Sequence, residues 1–298
     1  MALDQGLEPV EKRIPVAPDV SLRTLHWGTP PAGSGSDQPS FVLVHGLASN
    51  ARLWDGVAAE LAASGHHAVS VDLRGHGHSD KPDHGYDFDT VTADLVALID
   101  HLGLDRPVVA GQSWGGNVVI HLAWSAPEAV RGVCAVDGGM IELGTHFPSW
   151  DRCAETLKPP PIAGMRASRM ESFLRSAHGS WPESGIRGAM ANFELRNDGT
   201  IAPWLTLERH MKILRSLWEH RPSSLYPEIV VPVMLAPADT GTNPNWTADK
   251  RRAIETAEEL LPRSRTHWFA PADHDLHAQF PDRLARHLLD AVADGFFA

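Results

Sequence analysis

The sequence predicts an α/β protein: a doubly wound, mostly parallel sheet interrupted by an inserted helical cap. Three observations lead there. Short apolar runs alternate with longer amphipathic runs between residues 41 and 139. After Gly139 the alternation stops and only helical periodicity is left. Near residue 227 the alternation returns and continues to the C-terminus. Repeated strand–helix order of this kind favours a parallel sheet covered by helices on both faces.

Taken in order, "SFVLVHG" is a short buried-strand pattern ending at a glycine. "LWDGVAAELAASG" is a helix with Gly65 near its C-cap. "HAVSVDLRG" is a second strand, and "DTVTADLVALIDHLG" a helix apolar at three- and four-residue spacing. "PVVAGQS" is a strand and "GNVVIHLAWSAP" a helix. "VRGVCAVDGG" closes the first half as a strand. From Met140 to about Tyr226 strand signals vanish, and "AGMRASRMESFLRSA", "PESGIRGAMANFEL" and "LTLERHMKILRSLWEH" read as helices. The core resumes with "IVVPVMLAPAD", "NWTADKRRAIETAEELLP", "SRTHWFAPAD" and a last helix from Pro281. The boundaries are therefore 1–139 for the first part of the core, 140–226 for the cap and 227–298 for the second part. "PPAGSGSDQP" is a surface loop by composition. An insertion after a strand's carboxyl end sits over the face where open α/β sheets bind ligands.

Composition narrows the function classes. A chain of 298 residues suits one large α/β domain with an insertion. A formal charge of −11 argues against nucleic acid, because phosphate contacts need a basic surface. No apolar run approaches the length of a membrane span, and the N-terminus has no apolar signal-like region. The two cysteines, Cys134 and Cys153, form no disulfide framework and no zinc pattern; Cys134 lies in an apolar run and reads as a buried thiol. A soluble cytoplasmic protein is the expectation.

The chemistry centres on "VVAGQSWGGNVV". A Gly-x-Ser-x-Gly match arises by chance in roughly one chain in ten of this length, so its place decides. Here a strand leads in and a helix leads out, which is the setting of a nucleophile on a sharp turn. Such a turn exposes the Ser113 hydroxyl beyond the sheet and aims the first amides of the next helix at whatever it attacks.

Five stretches stand in one order: "FVLVHG", "DLRGHGHSD", "GQSWGG", "PVMLAPAD" and "DHDLHAQFPDRL". In these the sequence resembles the α/β-hydrolase fold family over nearly the whole chain. The resemblance implies a base histidine after the last strand, shortly before a proline-started helix. His274 takes that place before Pro281. It implies an acid after the strand that follows the insertion, which is Asp239; some relatives use the preceding strand's end, here Asp137. It implies backbone amides of Leu47 and Trp114 as oxyanion donors, with Gly46 allowing close approach and His45 shaping the loop. His277, nearer the helix, is the weaker candidate for the base and otherwise a solvated or supporting residue. A serine at the elbow speaks against the dehalogenase and epoxide-hydrolase branches, which carry an aspartate there.

Other residues compete for attention. His76, His78 and Asp80, and again Asp273, His274, Asp275 and His277, have spacings that a metal could use. The first cluster falls in a loop that the family uses for structure, with Asp72 and Arg74 making local bonds, so no metal and no cofactor is expected. "GQSWGG" is not a dinucleotide fingerprint. In the cap, Met140, Phe147, Trp150, Trp181 and Trp204 are candidate cleft residues, each competing with a place in the cap's own core. Most of the cap's arginines read as solvated helix faces. The expected activity is cleavage of a small carboxylic ester or lactone through an acyl-enzyme. Carbon–carbon bond hydrolysis, or perhydrolysis and haloperoxidation, would use the same residues. A receptor that keeps the triad but signals through its cap is the reading from outside enzymology.

Overall fold

A computed structural model describes residues 8–30, 38–242 and 244–298, with backbone only at 244–246. Most of the composition-predicted loop, residues 31–37, lies outside the described residues. One sheet of eight strands carries the fold. In chain order these are β1 (Val10–Ala17), β2 (Val20–Trp27), β3 (Phe41–Val44), β4 (Ala68–Val71), β5 (Val108–Gln112), β6 (Gly132–Val136), β9 (Val233–Ala236) and β10 (Ser264–Thr266). In space the order is β1-β2-β4-β3-β5-β6-β9-β10. From β4 to β10 every neighbouring pair is parallel; β2 runs antiparallel to both β1 and β4.

The parallel strands are apolar throughout because both faces are covered. Successive side chains point to opposite faces. Val42 and Val44 of β3, Val109 of β5 and Val133 and Ala135 of β6 join one core cluster. Phe41 and Leu43, Val108 and Ala110, and Cys134 and Val136 join the other. The first cluster is closed by α2 (Phe88–His101), α3 (Trp114–Ser125) and α9 (Pro244–Leu260), through Leu95, Val118 and Ile254 among others. The second is closed by α1 (Asp55–Ala63) and α11 (Pro281–Ala293), through Leu61, Leu284 and Leu288. Cys134 is a free, buried thiol, and Cys153 is free and buried as well.

Two features depart from the sequence expectation. The β1–β2 hairpin extends the sheet before the first strand read from the sequence. β1 carries Glu11, Lys12 and Arg13 and is largely exposed, as suits an edge strand protected by charge. Inside the insertion, where only helices were expected, β7 (Phe193–Leu195) and β8 (Ile201–Pro203) form a small antiparallel pair. Around it lie α4 (Leu143–His146), α5 (Trp150–Leu157), α6 (Ala167–Ala177), α7 (Glu183–Met190) and α8 (Leu207–Glu219).

The insertion is fastened to the core at several points. Asn50 Nδ2 donates to the Gly188 carbonyl at 2.8 Å and to Asn192 Oδ1 at 2.5 Å. Arg209 on α8 reaches the Pro82 carbonyl and Asp83. Leu53, Trp181, Ile186, Ala189 and Ala278 form a third apolar cluster between cap and core. No helix among the described residues is long and apolar enough to cross a membrane.

The loop after β4, suspected of mimicking a metal site, is knotted by its own bonds. Asp72 accepts from the Ala51 and His78 amides and from Arg23. His76 pairs with the Ala48 amide and the Arg74 carbonyl, and Asp80 with Arg13 and the Ser21 amide. Arg74 Nε and Nη2 donate to the two Asp94 oxygens at 2.6 Å each, with both side chains under 5% exposed. Removing one partner of such a pair strands the other charge. Asp94→Ala is therefore expected to cost roughly 3–5 kcal/mol, read from urea unfolding. An unchanged midpoint would show that this pair does not hold the loop.

Candidate active site

In space β3 and β5 are neighbours, yet the chain passes from β3 to β4 on one side and enters β5 on the other. That is a topological switch point, where open α/β sheets leave a crevice at the strands' carboxyl ends. Ser113 sits there, between β5 and α3, with φ 55° and ψ −120°. This is strained space for a residue with a Cβ, and the surroundings fix it. The Ser113 amide donates to the Val136 carbonyl at 2.9 Å, and its carbonyl accepts from the Gly116 amide at 2.9 Å. The turn is so tight that a Cβ on Gly115 would collide with the His45 carbonyl, and one on Gly46 with the Gln112 side chain. Glycine is required at position 115, where the obstacle is backbone; at Gly46 a larger residue would have to displace the Gln112 side chain.

Leu47 follows β3, and Trp114 opens α3. Neither backbone amide donates to an acceptor among the described residues, so both are free to receive an oxyanion. His45 shapes this loop: its Nδ1 lies 2.7 Å from the Gly46 carbonyl, and its Nε2 accepts from the Leu73 amide at 3.0 Å.

His274 lies between β10 and α10 (Leu276–Gln279). Its carbonyl accepts from Gln112 Nε2 at 3.3 Å, which ties this loop to the residue before Ser113. Its Nδ1 stands 2.6 Å from Asp137 Oδ2. The imidazole is 52% exposed while the Asp137 side chain is 3% exposed, so the ring faces the cleft and its partner is buried behind it. Asp137 Oδ1 accepts from the Ala238 amide at 2.8 Å and from Lys250 Nζ at 2.7 Å. Burial alone would raise the Asp137 pKa, but the bond and charge of His274, with those of Lys250, hold it below the usual carboxylate range. On His274, partial desolvation by the surrounding protein opposes the charged ring; the bond and charge of Asp137, helped by Asp275, prevail and push its pKa above the ordinary histidine value.

The aspartate in contact with the imidazole is thus Asp137. Asp239, expected as the histidine's partner, is turned away. Its Oδ1 accepts from the Gly241 amide at 2.9 Å and Thr247 Oγ1 at 2.8 Å, and Oδ2 lies 3.6 Å from Arg251. Asp239 therefore closes the loop into α9, and the alternative, Asp137, faces the imidazole. Asp137 takes a positive φ of 40°. The chain beyond it is pinned by Asn117, whose Oδ1 accepts from the Gly139 and Ile141 amides, and by Tyr226, whose hydroxyl donates to the Gly139 carbonyl. Of the alternatives for His277, the solvated one falls: it is fully buried against Trp54, and burial first, then the charges of His274 and His45, push its pKa down to about 3. Lys250 was not singled out in the sequence; a cation on the helix after Asp239 gives no signal of reaching Asp137, 113 residues earlier.

Among the cap candidates, Trp181 is joined to the histidine loop: its Nε1 donates to Asp273 Oδ2 at 2.9 Å. His178 Nδ1 approaches the same oxygen at 3.4 Å. Trp150 packs against Trp218, with Arg215 over both rings. Trp204 lies against His78 and beneath Lys81. The Phe147 carbonyl accepts from Trp218 Nε1, and Met140 packs on the core. Trp150 thus packs within the inserted helices, and Trp204 makes a contact between the insertion and the loop after β4.

A serine on a strained strand-to-helix turn at the carboxyl edge of a parallel sheet, with a histidine–carboxylate pair on a loop tied to the residue before it, is the arrangement expected of a hydrolytic enzyme class. The chain belongs to the alpha/beta hydrolase family, whose sequence model matches residues 41–287. It is similar to epoxide hydrolase A of Mycobacterium tuberculosis, 38% identical over 179 residues, covering 58% of this chain and 48% of that one. The chain spans less than half the length of the curated relatives it matches. Solved structures with the same fold include an E-2-(acetamidomethylene)succinate hydrolase, TM-score 0.76 at 20% identity, covering 96% of this chain and 99% of that one. A thioesterase domain from the curacin biosynthetic pathway has TM-score 0.73 at 20% identity, covering 95% and 100%.

Proposed function

We propose that the chain is a serine hydrolase that cleaves a small carboxylic ester or lactone through an acyl-enzyme. The observation that carries this reading is Ser113, held at φ 55° on the turn between β5 and α3. Where the related epoxide hydrolases are expected to carry an aspartate at this turn, this chain has a hydroxyl.

The histidine supplies what a hydroxyl lacks. An ionised Asp137 can only accept hydrogen bonds, so the proton in its bond to His274 sits on Nδ1. Nε2 then keeps its lone pair for the Ser113 proton. Among the described residues the Ser113 hydroxyl has no hydrogen-bond partner, so the two side chains close on each other when substrate binds, as catalytic contacts commonly do. Ser113 attacks the carbonyl, and the amides of Leu47 and Trp114, with the α3 dipole behind Trp114, receive the oxyanion. The imidazolium, stabilised by Asp137, returns its proton to the leaving alcohol. His274 then activates water to release the acid.

A fluorophosphonate probe should label Ser113 and no other serine, and nitrophenyl esters and lactones should turn over continuously. The rate should fall with falling pH as His274 protonates, at a pH above that of a free histidine, because its pKa is raised. Labelling elsewhere, or an acyl burst with no turnover, would remove the enzyme reading; the burst alone would favour a receptor.

A further inference from the structure

We propose that Lys250 is a positioning residue of this site: it clamps the buried carboxylate of Asp137 and so fixes the oxygen that meets His274. The inference rests on the hydrolase reading for its kinetic consequence but not for its physical one.

Lys250 lies on α9, outside the elbow, the oxyanion loop and the histidine loop. Its ammonium, 12% exposed, has two partners, Asp137 Oδ1 and the Ala238 carbonyl, both at 2.7 Å. Asp137 uses its two oxygens separately. Oδ1 is held by Lys250 and the Ala238 amide, and Oδ2, among the described residues, by His274 alone. A carboxylate with one oxygen anchored twice has a fixed plane, so the other oxygen presents a fixed lone pair to the imidazole. The two bonds at Ala238, one from its amide to Asp137 and one from Lys250 to its carbonyl, lock the ends of β6 and β9 to α9.

The same contact sets charge. The Lys250 ammonium offsets part of the Asp137 charge felt at the imidazole. Lys250 also repels an imidazolium on the far side of Asp137. Of the other groups around the ring, Asp275 on the same loop favours the imidazolium. Asp273 is engaged by Trp181 and His178 of the cap. His277 and His45 are held neutral by burial. Asp239 is bonded within its own loop and to Arg251. Lys250 is therefore the cation that opposes Asp137 and Asp275. Replacing it with a neutral side chain raises the proton affinity of the coupled Asp137–His274 pair, wherever the proton resides.

The test follows the His274 imidazole directly by NMR titration of its ring resonances, assigned by loss in His274→Gln. Lys250→Met should move its midpoint to higher pH, and Lys250→Arg should return it toward the wild-type value. If Lys250→Met does not fold, Lys250→Gln carries the same expectation. With a substrate in hand, the acidic limb of kcat/KM should shift the same way. kcat should fall by up to about 10²-fold, the scale on which an ångström of misplacement costs rate, with KM little changed. An unmoved His274 midpoint in a folded neutral variant would overturn the proposal and leave Lys250 as a structural tie only. The NMR readout needs no turnover, so failure of the hydrolase reading would show separately, as absent probe labelling and absent hydrolysis.

Discussion

Ser113→Ala should lower kcat on esters by on the order of 10⁶, the loss seen when the nucleophile of a serine hydrolase is removed. The fold should not suffer. The Ser113 hydroxyl makes no hydrogen bond among the described residues, and alanine meets the same strain at φ 55° as serine. Stability should therefore stay within about 0.5 kcal/mol. Residual hydrolysis above the uncatalysed rate should persist, because the amides of Leu47 and Trp114 still bind an oxyanion. The measurement pairs steady-state kinetics with a thermal melt and probe labelling. A folded alanine variant that turns over at the wild-type rate would end the serine mechanism, whatever the geometry around it.

How much of this site can be read from the sequence depends on the kind of bond that makes it. Ser113 and His274 announce themselves locally. The elbow is a strand, a tight turn and a helix within a dozen residues, and the histidine stands just before a proline-started helix. The carboxylate does not. Asp137 and Asp239 end adjacent parallel strands, and each is followed by a loop with glycine. Which one meets the imidazole is settled by side-chain direction. That direction depends on a positive φ at Asp137, on Asn117 and Tyr226 pinning Gly139, and on Lys250 arriving from a later helix. None of these leaves a local pattern.

The fold shows the same divide. The buried strands from β3 onward read clearly because apolar runs bounded by turns have few alternatives. β1 escaped notice because an exposed edge strand spends its sequence on charge, and β7 and β8 because three residues carry no periodicity. His277 is hidden for a related reason: the sequence leaves it either solvated or supporting, and only the fold of α10 turns it inward onto Trp54.

The choice between the two aspartates makes the sharpest contrast. Asp137→Asn should lower kcat by about 10⁴, the cost of the analogous change in another serine hydrolase. The carboxamide can offer its nitrogen to His274 Nδ1, which favours the tautomer whose proton sits on Nε2, where it blocks the base. Losing the carboxylate also removes the bond and charge that raise the His274 pKa, so whatever activity remains should extend to lower pH. The variant should be less stable as well, by roughly 1–3 kcal/mol, because the largely buried Lys250 loses its anionic partner and keeps only the Ala238 carbonyl. Asp239→Asn should do little of this. An asparagine oxygen can still accept from the Gly241 amide and Thr247 hydroxyl, and the contact to Arg251 is long and exposed. Its kcat should stay within about threefold of wild type, far short of the tautomer penalty, and its melting temperature should barely move. Kinetics across pH on both variants, beside their melts, decide the matter. If Asp239→Asn were the crippled enzyme and Asp137→Asn the active one, His274 would have to swing from its 2.6 Å partner to a carboxylate now bonded elsewhere. The acid would then belong to the strand after the cap.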